Sequence, residues 1–290
     1  MEEFQSYRPL LFSIAYRMLG SASEAEDVVQ DSYLRYRSAP PGEVRSAKAY
    51  LSTIVTRLCL DQLKSARARR EQYIGPWLPE PLLTVDDPPE LRTVELRESV
   101  APAFLVLLES LTPQERAVFL LREVFEYGYD EIAAMLALSA ANCRQIFHRA
   151  QRQVAERRPR FEPAPEAQRR LVERFLVACR DGDMAALTAV LAEDIVAWSD
   201  GGGKVSAARN PIRGREHVAR YLLGQLQKAR AGLRYELAEV NGLPAVLTFD
   251  GATLVYVATF ELSGGAVHGL HSVLNPDKLA YIQRQFERRA

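Results

Sequence analysis

Residues 129–154 read YDEIAAMLALSAANCRQIFHRAQRQV. Ile132, Ala133, Leu136 and Leu138 recur at helical spacing, the period breaks at Leu138–Ser139, and it resumes with Cys143, Ile146, Phe147 and Ala150. Ser139 is suited to cap the second stretch, its hydroxyl accepting from a first-turn N–H. Two short helices across a tight turn have the form of a helix-turn-helix. The second helix leaves Asn142, Arg144, Gln145, His148, Arg149 and Arg152 on its outward side. Amides and arginines there suit paired hydrogen bonds to base edges in the major groove, with later arginines on phosphates. From 139 to 160 there are six arginines and one acid, a local basic patch. A solvated amphipathic helix pair would share the periodicity but would not need that outward set.

The rest of the chain gives the patch its setting. At 290 residues there is room for two domains. Formal net charge is zero, so no global excess of base argues for nucleic acid; only local patches do. Cys59, Cys143 and Cys179 are far apart and odd in number, which suggests neither a disulfide framework nor a metal site. The N-terminus lacks a basic, apolar leader, and no run of about 18 apolar residues occurs. A cytoplasmic protein without membrane contact, cofactor or metal is expected.

Upstream, residues 1–72 read as helical. Leu10, Leu11, Ile14, Ala15, Met18 and Leu19 keep helical spacing up to Gly20, and Ser23 with Glu26 reads as a capping box. Pro40, Pro41 and Gly42 interrupt before a third helix from about Ser46 to Tyr73. Two charge runs differ in sign: EAEDVVQD (24–31) is acidic, whereas 45–70 holds seven Lys or Arg and only Asp61 as acid. Each could be a solvated helix face, although a basic helix with aromatic and Thr neighbours also suits phosphate contact and unstacked bases. Residues 73–90, YIGPWLPEPLLTVDDPPE, carry five prolines with Trp77, Leu78, Leu82 and Leu83. That linker is too apolar to be merely solvated, so it is expected to lie on a surface. Helix returns over 91–160. A second proline-containing break, RRPRFEPAPEAQ, precedes 167–290, where helices at 167–181 and 183–192 lead into strands marked by Asn-Gly, Asp-Gly and Gly-Gly turns, an α+β pattern.

AEDVVQDSYLRY, AKAYLSTIVTRLCLDQLKS and LTPQERAVFLLREVFEYGYDEIAAMLALSAANCRQIFHRAQ together resemble the extracytoplasmic-function sigma factors, covering regions 2 and 4 in order. The resemblance implies two all-α domains, a partnership with core RNA polymerase, and promoter-directed initiation. It places polymerase contact on Asp27, Gln30, Asp31 and Leu34, and reading and opening of the −10 element on Arg45, Lys48, Tyr50, Thr53, Arg57 and Lys64. Reading of the −35 element falls to the helix from Ser139. Base-edge readout works on duplex DNA, whereas opening at −10 needs bases flipped and held.

Residues 167–290 resemble a SnoaL-like cone, a fold that does not by itself fix an activity. A subgroup of these sigma factors carries that domain, marked by three motifs: WLPEPL with Trp77, Leu78 and Leu82; DGGGK as Asp200, Gly201, Gly202, Gly203 and Lys204; and NPDKL as Asn275, Pro276, Asp277, Lys278 and Leu279. The implied role is regulation in cis, the fused domain acting at high effective concentration. DGGGK is not a phosphate loop: a P-loop would need Gly at position 198 and Ser or Thr at 205, which are Trp198 and Val205. A tight turn with two opposite charges beside it is the alternative. Asp200, His217, His268, His271 and Tyr256 are candidates for acid/base work or ligand binding in the cone. The competing architecture is a helix-turn-helix regulator fused to a sensing or catalytic cone.

Overall fold

Ser21, not Ser23, starts the second helix. Its hydroxyl accepts from the Glu24 N–H at 3.1 Å, and its extended backbone (φ −127°, ψ 120°) ends the turn after Gly20. The capping box read two residues later loses to the cap nearer the turn, where Gly20 takes a positive φ of 67°.

A computed structural model of the chain describes residues 2–40, 44, 46–84, 99–155, 165–228 and 232–289. It divides into two units, one from Met1–Gln72 and Pro88–Arg158, the other from Tyr73–Asp87 and Pro159–Ala290. The apolar linker therefore belongs with the C-terminal unit as far as Asp87. Arg45, the break at 41–42, residues 85–90, the start of the expected helical stretch at 91–98 and the break at 156–164 lie outside the described residues.

In the first unit, α1 (Glu2–Leu19), α2 (Ala22–Arg37) and α3 (Ala47–Glu71) pack around Leu11, Ile14, Tyr16, Val28, Leu51 and Val55, all fully buried. Among the described residues, four helices follow: α4 (Pro102–Leu108), α5 (Pro113–Glu123), α6 (Tyr129–Leu136) and α7 (Ala140–Ala155). Thr112 and Glu115 cap α5 reciprocally, with Pro113 in the first turn. Buried Arg116 joins the halves: it donates to the carbonyls of Met18 and Leu108 and pairs with Glu109 at 2.8 Å. Burial lowers its guanidinium to about 10, which leaves it charged at neutral pH. Arg17 likewise reaches Ser99 at 2.7 Å.

The second unit has a six-stranded sheet in the order β2-β1-β6-β5-β4-β3, from β1 (Leu191–Asp200), β2 (Ile212–Arg213), β3 (Arg234–Val240), β4 (Leu243–Asp250), β5 (Thr253–Ser263) and β6 (Ala266–Val273). β3 to β6 form the expected antiparallel meander, and β1 returns to pair with β6 in parallel. One face is covered by α8 (Pro165–Asp181), α9 (Met184–Val190) and α10 (Arg215–Lys228), with Val172, Leu187 and Val218 packed against Ala197, Ala258, Phe260 and Leu270. On the other face α11 (Pro276–Glu287) sets Phe286 against Phe249 at 4.9 Å. Helices α10 and α11 are additions to the α+β layout read from the sequence. α10 escapes that reading because Gly224 and four charged residues dilute its apolar face.

Candidate functional site

Asp200 ends β1, and its carboxylate is fully buried. The turn after it brings the three glycines against two other segments. Gly202 and Gly203 have φ of 58° and 73°, the left-handed region that side chains resist. Space is limiting too. A Cβ on Gly201 would lie 2.6 Å from the Val205 carbonyl oxygen, and one on Gly203 would lie 2.8 Å from Ile74 Cδ1. On Gly202 it would overlap the Asn275 amide. Each glycine thus answers a separate need for backbone conformation or close approach.

The approach lets Asp200 accept four hydrogen bonds: Tyr73 Oη at 2.6 Å, the Leu78 amide at 2.8 Å, the Gly202 amide at 3.1 Å and Lys278 Nζ at 2.7 Å. Lys278, itself buried, also donates to the Leu78 carbonyl, and its ammonium lies over the rings of Trp77 at 4.3 Å and Tyr73 at 4.8 Å. A buried lysine needs this much: a paired anion, a carbonyl and aromatic faces together replace its water. Asn275 caps α11, whose N1 residue is Pro276, and passes its side-chain amide to Tyr73 Oη at 2.8 Å. Leu279 is buried one turn on. Lys204 pairs with Asp277, so both charges of the glycine turn meet the opposite charges of the NPDKL segment. Burial, and next the bond to Asp200, raise the Tyr73 hydroxyl well above the ordinary phenol range.

Trp77 and Leu78 reach this node, but Leu82 does not. It docks at the β3–β4 turn instead, its carbonyl accepting from the Asn241 amide at 2.8 Å while its own amide donates to the Asn241 side chain at 3.1 Å. Leu83 donates to Gln285, and Thr84 is held by Glu239 and Gly242. Tyr73, Asn241, Glu239 and Gln285 were not among the residues read from the sequence. Asn241–Gly242 was legible only as a turn, and no signal separated the others from surface polar residues.

On the first unit, Asp27, Gln30 and Asp31 are exposed along α2, and Leu34 beside them is an exposed apolar residue. Lys48, Tyr50, Thr53, Arg57 and Lys64 project from α3, but two of them are engaged by the helix-turn-helix half. Lys48 lies over the Tyr127 ring at 5.5 Å, and Arg57 donates to the Met135 carbonyl at 2.9 Å. Between them, buried Ser52 shares a 2.8 Å hydrogen bond with Tyr127 Oη. Thr53 bonds back to the Ala49 carbonyl, and Lys64 pairs with Asp61.

Along α7, Ser139 accepts from the Asn142 amide, and Cys143, Ile146, Phe147 and Ala150 face inward. In α6 the inward set is Ile132 and Met135; Ala133, Leu136 and Leu138 are only partly covered. Asn142, Arg144, Gln145, His148, Arg149 and Arg152 are exposed. Arg149 is drawn to Glu115 at 2.6 Å and Arg144 stacks over Tyr129 at 5.3 Å, so two cations of this face are steered by the α5 and α6 segments.

The acid/base candidates do not converge. Asp200 is spent on the linker. His268 pairs with Asp194 near the surface at 3.3 Å, and Tyr256 bonds Ser272 at 2.8 Å. His217 is exposed, whereas buried His271 meets Glu261 and stacks on Trp198 at 4.6 Å. Among the described residues, none of these histidines bonds to Asp200.

Two family models match: Sigma-70 region 2 over residues 4–69 and Sigma-70 region 4 over 102–154. The chain is 36% identical to an ECF RNA polymerase sigma factor of Mycobacterium tuberculosis, SigJ, over 96% of this chain and 92% of that protein. It is 32% identical to a probable ECF sigma factor of the same organism, SigI, over 95% and 93%. The crystal structure of M. tuberculosis SigJ superposes with a TM-score of 0.77 at 33% identity, covering 96% of this chain and 98% of that one.

Proposed function

The chain belongs to the extracytoplasmic-function RNA polymerase sigma factors, and on that premise we propose how its residues divide the work. Binding core RNA polymerase and directing it to promoters is the family's task; RNA synthesis is the polymerase's chemistry, and this chain needs no catalytic residue of its own. The α2 face of Asp27, Gln30, Asp31 and Leu34 docks on polymerase, an exposed leucine among carboxylates suiting a protein partner. Residues of α3 hold the opened −10 strand. Asn142, Arg144, Gln145 and His148 read −35, and Arg149 and Arg152 meet phosphate. The protein acts in the cytoplasm.

Regulation in cis lies in the Asp200 node. A buried carboxylate and a buried ammonium hold the polypeptide that joins the two reading halves, and that observation carries the reading. The first unit is the waiting form, with Lys48 and Arg57 occupied by Tyr127 and Met135. The two promoter elements are centred about 25 base pairs apart, or about 85 Å on B-DNA. Helix α7, of 16 residues, is about 24 Å long, so a unit in which α3 touches α6 directly cannot address both elements at once. Run-off transcription with core polymerase tests the node. Asp200→Asn, which keeps shape and drops charge, should raise promoter-directed yield several-fold over the unaltered chain. Unchanged yield despite a freed linker refutes regulation through this contact. His271→Ala and Tyr256→Phe should leave transcription in place, as expected of a domain that regulates without catalysis.

A further inference from the structure

A cavity of about 210 Å³ lies beside the glycine turn, lined by Ile74 and Gly75 of the linker and by Ser199, Gly201, Gly203 and residues Val205 to Arg209. We propose that it is a site for a small organic anion, and that its occupancy stabilises the docked linker. The proposal rests on the regulatory reading of the Asp200 node and adds a ligand to it.

Charge decides the class of ligand. Arg209 is the only charged residue in the lining, and it has no hydrogen-bond or ion-pair partner among the described residues. The nearby acids are committed elsewhere: Asp200 to Tyr73, Leu78, Gly202 and Lys278, and Asp277 to Lys204. Lys204, the other cation of the loop, is paired as well. The cavity is therefore lined by one exposed arginine without a partner among the described residues, by Ser206, by Ser199, whose hydroxyl is shared with Tyr221 Oη at 3.3 Å, and by glycine-rich backbone. A carboxylate or phosphate group matches a guanidinium by paired hydrogen bonds. The volume is enough for a small carboxylic acid or a phosphorylated three-carbon compound.

Coupling follows from the walls. Ile74 and Gly75 lie beside Tyr73, the residue that bonds Asp200, and the Gly75 Cα faces the Arg209 backbone, where a Cβ would stand 3.9 Å from Arg209 Cα. Undocking the linker removes one wall. A ligand that binds only the docked form shifts docking by the factor 1 + [L]/Kd, about a hundredfold at one hundred times Kd.

The test uses hydrogen exchange on the full chain with glycerol 3-phosphate, malate and inorganic phosphate as probes, and glycerol as the neutral control. Exchange at the amides of Leu78, Leu82 and Leu83 should slow at least threefold with one of the anions at about 10 mM, not with glycerol, and not in Arg209→Ala. No protection by any of the three anions overturns the site, and so does protection that survives Arg209→Ala. Asp200→Asn in the same assay separates the two ideas. If it leaves exchange in 73–84 unaltered, the node does not hold the linker. If it speeds exchange while the anions do nothing, only the anion site falls.

Discussion

Asp200 and Lys278 are each close to fully buried, and the pair is stable because every polar atom of both is satisfied. Removing one partner strands the other: Lys278→Met should cost the second unit about 3–5 kcal/mol in chemical unfolding, most of it from an unpaired buried carboxylate. Gly202→Ala should cost at least about 1–2 kcal/mol from its positive φ alone, and more because a Cβ overlaps Asn275, with the loss seen first as release of Trp77 fluorescence. The Tyr73 hydroxyl sets a pH limit. Its folded value is raised above the free phenol at 10.0 by burial and the bond to Asp200, so the neutral form is favoured by folding. That stabilisation is complete below pH 10.0 and is lost as pH climbs through the raised value. Trp77 fluorescence should therefore report undocking on the alkaline side, and Tyr73→Phe should flatten that limb of the dependence. The sequence showed that the glycine turn was no phosphate loop and that its two charges would seek partners. It did not show Tyr73, because a tyrosine at the end of a basic helix carries no mark of a contact 127 positions away.

Helices with strong periodicity and clear stops were legible, as α7 shows: Ser139 caps it, and its inward residues are the ones spaced for burial. Capping at α2 was misplaced by two residues because Ser21 and Ser23 offer the same chemistry, and only the Gly20 turn decides between them. Helix α10 was missed because its burial rests on two residues, Val218 and Ala219, too few to register against its charges. The packing of α3 on α6 was not legible either. It depends on backbone carbonyls at the end of α6, which every sequence has, and on Tyr127, which sits in a break. Tyr127→Phe should test that packing: it strands the buried Ser52 hydroxyl, lowers the unfolding free energy of the first unit by about 1 kcal/mol, and loosens α3 from α6 without touching an exposed base-reading residue.

For the whole molecule, energy transfer between dyes on Asp61 of α3 and Gln151 of α7, both exposed, should be high in the free protein and fall when core polymerase is added. Transfer that stays high on a promoter complex would remove the waiting-form reading. The linker also sets a limit on reach that is purely one of chain length. Residues 73–84 lie along the second unit, held at Tyr73, Leu78, Leu82, Leu83 and Thr84. Only the fourteen residues 85–98 then separate Thr84 from Ser99, and at full extension they cover about 50 Å. Freed from Tyr73 onward, the tether has twenty-six residues, 73–98, and covers about 90 Å. Docking thus takes twelve residues, 73–84, out of the freely extensible part of the tether, and their release more than restores what the fourteen remaining residues lack in reach.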